Sequence, residues 1–213
     1  KEVKKSSNIQ RVEFSQEKDK IDIKVDTTIE LIIKAFWLML PAYLPNPFAA
    51  VFGGGKPIDG GRTLRDGRRI IGDGKTYRGL FSGIFFGVLA GGIQIWLGSK
   101  GFEILGIEMP AFGPNYTEAF KVVLALACGS LFGDMFKSFF KRRMGMKRGA
   151  PLPLVDQLDF VIGAWVFTYL TAPEWFVSNF TPSIMIIILI TTPLLHLTTN
   201  IIGYLTGIKK EPW

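Results

Sequence analysis

The residues best equipped for chemistry lie in two stretches. In the first, Gly133-Asp134 is followed by Lys137, Ser138 and Lys141. Spaced at i, i+3, i+4 and i+7, the four polar side chains share one face of a helix, and Phe132, Phe136, Phe139 and Phe140 populate the rest. An aspartate inside an otherwise apolar helix is costly and marks a functional position by default. Snorkelling to the membrane interface explains Lys141 and Arg142 but not Asp134. The second stretch, Asp156-Gln157-Leu158-Asp159, sets two carboxylates one turn apart where the next apolar segment begins. N-capping and the helix dipole account well for Asp156 and less well for Asp159. Asp134, Asp156 and Asp159 together offer three hard oxygen ligands, and Mg²⁺ commonly takes one or two carboxylates plus substrate phosphates.

Upstream, a glycine-rich loop from Gly53 to Gly79 carries Lys56, Arg62, Arg65, Arg68, Arg69, Lys75 and Arg78, interrupted by Asp59, Asp66 and Asp73. Glycine lets backbone N–H groups approach an anion closely, and lysine and arginine add charge-assisted donors for phosphate. A loop that only obeyed membrane charge topology would not need the three aspartates. Gly74-Lys75-Thr76 superficially matches the end of a P-loop, but Arg69 stands where the first glycine belongs and no strand precedes it. A magnesium-nucleotide site at a membrane surface is what these residues add up to.

The elements that must position them are membrane helices. Of 213 residues, 48% are apolar and 18 are Phe, while charged residues reach 20% and are clumped, which excludes most soluble enzyme folds. Five segments approach the ~20 residues a helix needs to cross hydrocarbon: about 28–52 (broken by Pro41 and Pro45-Asn46-Pro47), 79–98, 118–140, 156–171 and 182–205. An all-α, multi-pass membrane fold with two basic loops is expected, since no barrel-like alternation appears. The loop excess of Lys and Arg places both basic loops and the C-terminus in the cytoplasm. One Cys and one His exclude a disulfide framework, a Cys-based zinc site and a multi-histidine centre. The net charge of +7 maps onto the two loops, which favours phosphates at a membrane over nucleic acid as the partner. Residues 1–27, opening on Lys, are read as a charged segment of unknown role, trimmed or appended, and residues 28–213 as the membrane domain.

The spacing also resembles a known signature. Gly133-Asp134, Ser138, Lys141-Arg142 and Lys147 stand at the intervals of the CDP-diacylglycerol synthase motif, Asp156-Gln157-Leu158-Asp159 is similar to its Asp-Arg-x-Asp element, and Lys75-Thr76-Tyr77-Arg78-Gly79 to its Lys-Thr-Trp-x-Gly element. Arg148 stands where that family has Asp, Gln157 replaces Arg, and the linker is shorter and lacks His. With Pro57-Ile58-Asp59-Gly60-Gly61, these departures look like the archaeal branch, the CDP-archaeol synthases. The resemblance implies transfer of CMP from CTP to unsaturated archaetidic acid (2,3-di-O-geranylgeranylglycerol 1-phosphate), an isoprenoid ether lipid phosphate drawn from the membrane. It implies Mg²⁺ held by Asp134 and Asp159, with Asp156 adjacent. Lys75, Arg78, Lys137, Lys141 and Arg142 are expected to bind triphosphate or lipid phosphate, without a division between the two. Ser138 and Thr76 are expected as hydrogen-bond donors, and Asp59, Lys147, Arg148 and Gln157 complete the expected nucleotide contacts.

Rival readings use some of the same parts. A CTP-dependent lipid or polyprenol kinase would transfer the γ-phosphate instead. Neither Asp59-Gly60 nor Asp66-Gly67 continues as the CDP-alcohol phosphotransferase motif requires. A transporter would place its polar groups at the midplane and show an inverted repeat. Asn46 either lines a polar cavity or satisfies backbone freed by the prolines, and His196 with Asn200 reads first as a helix–helix hydrogen-bonding pair and second as a relay. Cys128 reads as packing.

Overall fold

The first apolar segment folds as a helix, α1 (residues 27–43), running into α2 (Pro45–Val51). Proline at the start of α2 lacks an N–H that would be orphaned there in any case. Leu44 N–H reaches Leu40 O at 3.3 Å and Phe48 N–H reaches Leu44 O at 3.2 Å, so the prolines interrupt the rod without ending it. The computed structural model describes residues 27–146, 150 and 152–205. The charged N-terminal segment, Lys147 and Arg148 lie outside the described residues.

A long loop leads to α3 (Tyr77–Gly98), capped by Thr76, whose Oγ1 accepts the Gly79 N–H at 3.1 Å. A hairpin follows, β1 (Glu103–Ile104) against antiparallel β2 (Ile107–Glu108), with Ile104 opposite Ile107. Its two turn residues, Leu105 and Gly106, both have positive φ (54° and 75°), the turn that matches strand twist. Helix α4 (Tyr116–Arg143) starts at Asn115, whose side chain accepts the Glu118 N–H at 3.0 Å. It ends on Lys141, Arg142 and Arg143, which suit the negative end of its dipole. Gly145, at φ 75°, closes it: Gly145 N–H bonds Arg142 O at 3.1 Å and Met146 N–H bonds Lys141 O at 3.0 Å. Helix α5 (Val155–Thr171), short α6 (Pro173–Asn179) and α7 (Pro182–Leu205) complete the described chain.

Among the described residues, Thr27–Val51, Tyr77–Gly98 and Tyr116–Arg143 are each long and apolar enough to cross a membrane. Helices α6 and α7 pass that test as a pair bent by 78°, a broken span or re-entrant loop. The expected fourth span, α5, has 17 residues, about 25 Å of helix against a hydrocarbon core of about 30 Å. The helical membrane architecture is therefore as expected; the hairpin and α6 were not anticipated.

Helix α3 shows which solvent the outside meets. Its buried residues are Gly79, Gly83, Gly87, Gly91 and Gln94, while Phe81, Phe85, Leu89, Ile93 and Trp96 are exposed. Large apolar side chains outward and glycine inward is the pattern of a helix packed by close backbone approach in lipid. A Cβ at Gly83 would meet Pro45 O at 2.6 Å, and one at Gly87 would meet Pro41 O at 2.7 Å and the Ala127 Cβ at 2.8 Å. The core, with Leu38, Met39, Val123, Leu126, Val161 and Ile188 fully buried, sits among α1, α4, α5 and α7. Trp37 Nε1 donates to Pro110 O at 3.1 Å and Trp175 Nε1 to Ala111 O at 2.7 Å, tying the hairpin connection over that core.

The α4–α5 pair is the most extensive helix contact and the one that sets the chemistry. A Cβ at Gly133 would lie 2.2 Å from Asp159 O, one at Gly129 2.5 Å from Gly163 O, and one at Gly163 2.3 Å from Gly129 O. Three glycines thus bring the backbones of two acid-bearing helices together, with Asp134 next to Gly133 and Asp159 on the facing turn.

Candidate active site

The basic loop is built around Asp59, a buried carboxylate. Its Oδ1 accepts from Arg69 Nη2 at 2.6 Å and the Gly61 N–H at 3.1 Å; its Oδ2 accepts from the N–H groups of Ile71 (3.1 Å) and Gly72 (2.8 Å) and from Arg69 Nε at 3.3 Å. Burial works against the charge, but the Arg69 guanidinium and the backbone N–H groups outweigh it and hold the carboxyl well below the usual carboxylate range. Asp59, expected on the nucleotide, is engaged here by the loop's own groups. Ten residues separate it from Arg69, and nothing in the spacing announces that the turns between them close.

The loop is clasped to the end of α4. Arg143 Nη1 donates to both Asp66 oxygens at 2.8 Å, and its Nη2 to Arg69 O at 2.5 Å and Arg68 O at 3.2 Å. Arg68 returns a hydrogen bond to Arg143 O. Arg142 donates to Ile71 O at 3.4 Å and Met146 O at 2.7 Å. Arg143, a third cation in the last turn of α4, counts in the sequence only toward the charge of the second basic loop, with no site role. Arg142, expected on phosphate, acts as a brace in this structure.

Held this way, the loop delivers Lys75 to α4, where its ammonium pairs with the Asp134 carboxylate. Lys137 Nζ lies 3.0 Å from Asp134, 2.8 Å from Asp159 and 3.5 Å from Asp156. The 2.8 Å contact is the shortest of the three and holds the Asp159 Oδ2, on a side chain only 5% exposed. Lys141 turns the other way, to both Asp156 oxygens at 2.9 and 3.0 Å and to Ala150 O at 2.5 Å. Asp156 also accepts the Leu152 N–H at 2.6 Å, so it secures the linker ahead of α5 and does not cap its own helix. Leu154, at φ 65°, is the turn that lets it do so.

These groups adjoin a cavity of about 720 Å³. Gly74, Lys75, Thr76, Asp134, Lys137, Asp156 and Asp159 give it a charged cluster, and Phe36, Leu44, Leu131, Phe160 and Leu195 give it apolar walls. Asn46 lines it as well, the first of its two expected uses, as do His196, Tyr43 and Thr192. Tyr43 Oη and Thr192 Oγ1 share a hydrogen bond of 2.8 Å, a pairing across 149 residues that no local pattern signals. The Asn200 side chain lies outside the described residues.

Of the remaining expected residues, Ser138 donates to Asp134 O at 2.9 Å within its own helix and stands outside the cavity lining. Arg78 is exposed at the start of α3, and Gln157 is half-buried; neither side chain makes a hydrogen bond or ion pair among the described residues. Nor do three Asp, Glu, His or Cys side chains stand together at metal-ligating spacing among those residues. The expected set of Asp134, Asp156 and Asp159 is thus no ready-made three-ligand cage, because the Lys137 ammonium fills the point they share.

A family model described as CarS-like, CDP-archaeol synthase, matches residues 28–213. The chain is 80% identical over 175 residues to CDP-archaeol synthase of Methanosarcina mazei, covering 82% of this chain and all of that protein. The chain belongs to the CDP-archaeol synthase family. A more distant member, from Halorubrum lacusprofundi, is 44% identical over 86% of this chain and 98% of its own length. A solved structure described as an intramembrane enzyme for archaeal membrane lipids biosynthesis superposes with a TM-score of 0.64 at 38% identity, covering 80% of this chain and 94% of that one. As a CDP-archaeol synthase relative with apolar spanning helices, the chain is a membrane transferase, and its cavity is the place to look for the transfer.

Proposed function

We propose that this chain transfers CMP from CTP to unsaturated archaetidic acid, forming CDP-archaeol and pyrophosphate, at the cytoplasmic face of the membrane. The observation that carries the reading is the cavity itself, in which a cluster of lysines and carboxylates adjoins apolar and uncharged polar walls among membrane helices. An amphiphile and a nucleotide triphosphate can meet there without the lipid chains leaving the membrane. In the transfer, a lipid phosphate oxygen attacks the α-phosphorus in line. A new P–O bond forms as the bond from that phosphorus to the bridging oxygen breaks, and pyrophosphate leaves with the electron pair.

Such a reaction asks for positioning and charge neutralisation and needs no covalent enzyme nucleophile. Lys75 and Lys137 face the cavity and supply mobile ammonium groups to phosphate oxygens. Thr76 Oγ1 already accepts the Gly79 N–H, which leaves its hydroxyl proton to donate. Asp134 and Asp159, both lining the cavity, suit Mg²⁺ as hard oxygen donors, provided that the triphosphate supplies further ligands. When bound, the ion would neutralise charge on the triphosphate. Lys141, Asp156, Ser138 and Arg142 act through other groups, as positioning residues. Arg78, exposed beside the loop, is available to the lipid phosphate on its approach.

Purified protein given Mg²⁺, the ether lipid phosphate and CTP labelled at either the α or the γ phosphorus separates the possibilities. Label reaching lipid from the α position alone is expected. Label from the γ position would make the protein a lipid kinase, and no transfer from either would withdraw the proposal.

A further inference from the structure

The three carboxylates in the charged cluster of the cavity are already neutralised by the chain itself. Asp134 pairs with Lys75 and Lys137, Asp159 with Lys137, and Asp156 with Lys141 and Lys137. Three acids thus face three lysines, and only Lys137 touches all three acids. Its side-chain exposure of 15% means that the ammonium is largely withdrawn from water, where such contacts are strongest. Lys141 is fully engaged by Ala150 O and Asp156, and Lys75 arrives on the loop. Lys137 alone sits on α4 with a four-carbon stem and a rotatable point charge at the common centre.

We propose that Lys137 is a tethered cation that holds the acid cluster together in the nucleotide-free protein and makes divalent-ion binding conditional on nucleotide. A bare divalent ion would enter a cluster with no net charge and meet an ammonium at the point where the carboxylates converge. An ion carried by a triphosphate arrives with surplus negative charge, and that charge gives the ammonium a new partner. The ion then takes carboxylate oxygens that Lys137 releases, among them Asp159 Oδ2, whose ionic partner among the described residues is Lys137. A ligand shifts such an equilibrium only through its differential affinity for the two arrangements, and here the triphosphate supplies that difference. This inference rests on the reading of the cluster as the Mg²⁺–CTP site.

The test is Mn²⁺ binding to purified protein without lipid acceptor, read by electron paramagnetic resonance. Wild type, Lys137→Met and Lys137→Arg are titrated without nucleotide, and wild type again with CTP. Lys137→Met is expected to bind Mn²⁺ about tenfold or more tightly than wild type in the absence of CTP, Lys137→Arg to stay with wild type, and wild type to acquire protein-bound Mn²⁺ once CTP is added. Tight, nucleotide-independent Mn²⁺ binding by wild type would overturn the inference and leave the metal site standing. No protein-bound Mn²⁺ in any sample, with or without CTP, would overturn both. If Lys137→Met fails to fold, as judged by its thermal unfolding, Lys137→Gln takes its place, and a folded neutral variant that binds Mn²⁺ no more tightly than wild type without CTP would overturn the inference.

Discussion

Within the basic loop, the Asp59 carboxylate accepts from Arg69 and from three backbone N–H groups, and its charge is what arranges the turns. A carboxyl held below its ordinary pKa adds stability above about pH 4, its unfolded value, and loses that contribution as pH falls through the lower folded value. Asp59→Asn should therefore lower the thermal unfolding midpoint in detergent by several degrees at neutral pH, as expected for charged hydrogen bonds worth about 1.5–3 kcal/mol. Its deficit relative to wild type should shrink below about pH 4. An equal deficit at neutral and acid pH would mean that shape, not charge, is what the residue provides. The three loop aspartates stood out in the sequence as more than topology requires. Their division of labour did not, because it depends on which turns close: Asp59 takes Arg69, Asp66 takes Arg143, and Asp73 takes the second arm of Arg69 at 2.6 Å.

At the level of elements, glycine spacing does the placing. Gly129, Gly133 and Gly163 let α4 and α5 touch through their backbones, and a side chain at Gly133 would strike a carbonyl oxygen that cannot swing away. Gly133→Ala should cost about 1–3 kcal/mol of stability by overpacking and lower activity with it, since the helices carrying Asp134 and Asp159 must separate. Gly92→Ala is the matched control: that glycine is exposed on α3 with nothing within 4 Å of a new Cβ. It should leave activity unchanged and gain about 0.5–1 kcal/mol from helix propensity. Equal losses in both variants would dismiss the close-packing account. The loop clasp makes a different kind of prediction, because Arg143 lies outside the cavity. Arg143→Ala should raise the KM for CTP about tenfold, equivalent to about 1.4 kcal/mol, with a smaller change in kcat, as Lys75 is presented less firmly. A fall in kcat at constant KM would place Arg143 in the transfer step itself. The four-residue glycine intervals in α3 and α4 carried no expectation in the sequence analysis, though small residues at that spacing are a known route to close helix packing in membranes. Which helix each stripe meets was not legible there, since the partners are backbone atoms.

Across the whole molecule, hydropathy and charge clumping made the helical membrane architecture legible, and an aspartate in an apolar helix made the site legible. Both signals are local. The hairpin, the bend between α6 and α7 and the Tyr43–Thr192 wall of the cavity were illegible because each depends on contacts between distant segments. The same reason explains why three carboxylates read as a metal cage while the folded chain places Lys137 among them. Among the described residues, the helices are apolar on their outer faces and glycine-packed within, the basic loop is exposed, and the cavity holds a cluster of acids and lysines. The central claim is that transfer takes place at that cluster. The most direct test compares the initial rate of α-label transfer from CTP to lipid for wild type and Asp134→Asn, with unfolding midpoints measured on the same preparations. A loss of at least about a hundredfold in a variant that remains folded is predicted, the scale for removing one preorganised charged group from a transition-state site. A folded Asp134→Asn protein transferring label at near wild-type rate would contradict the account.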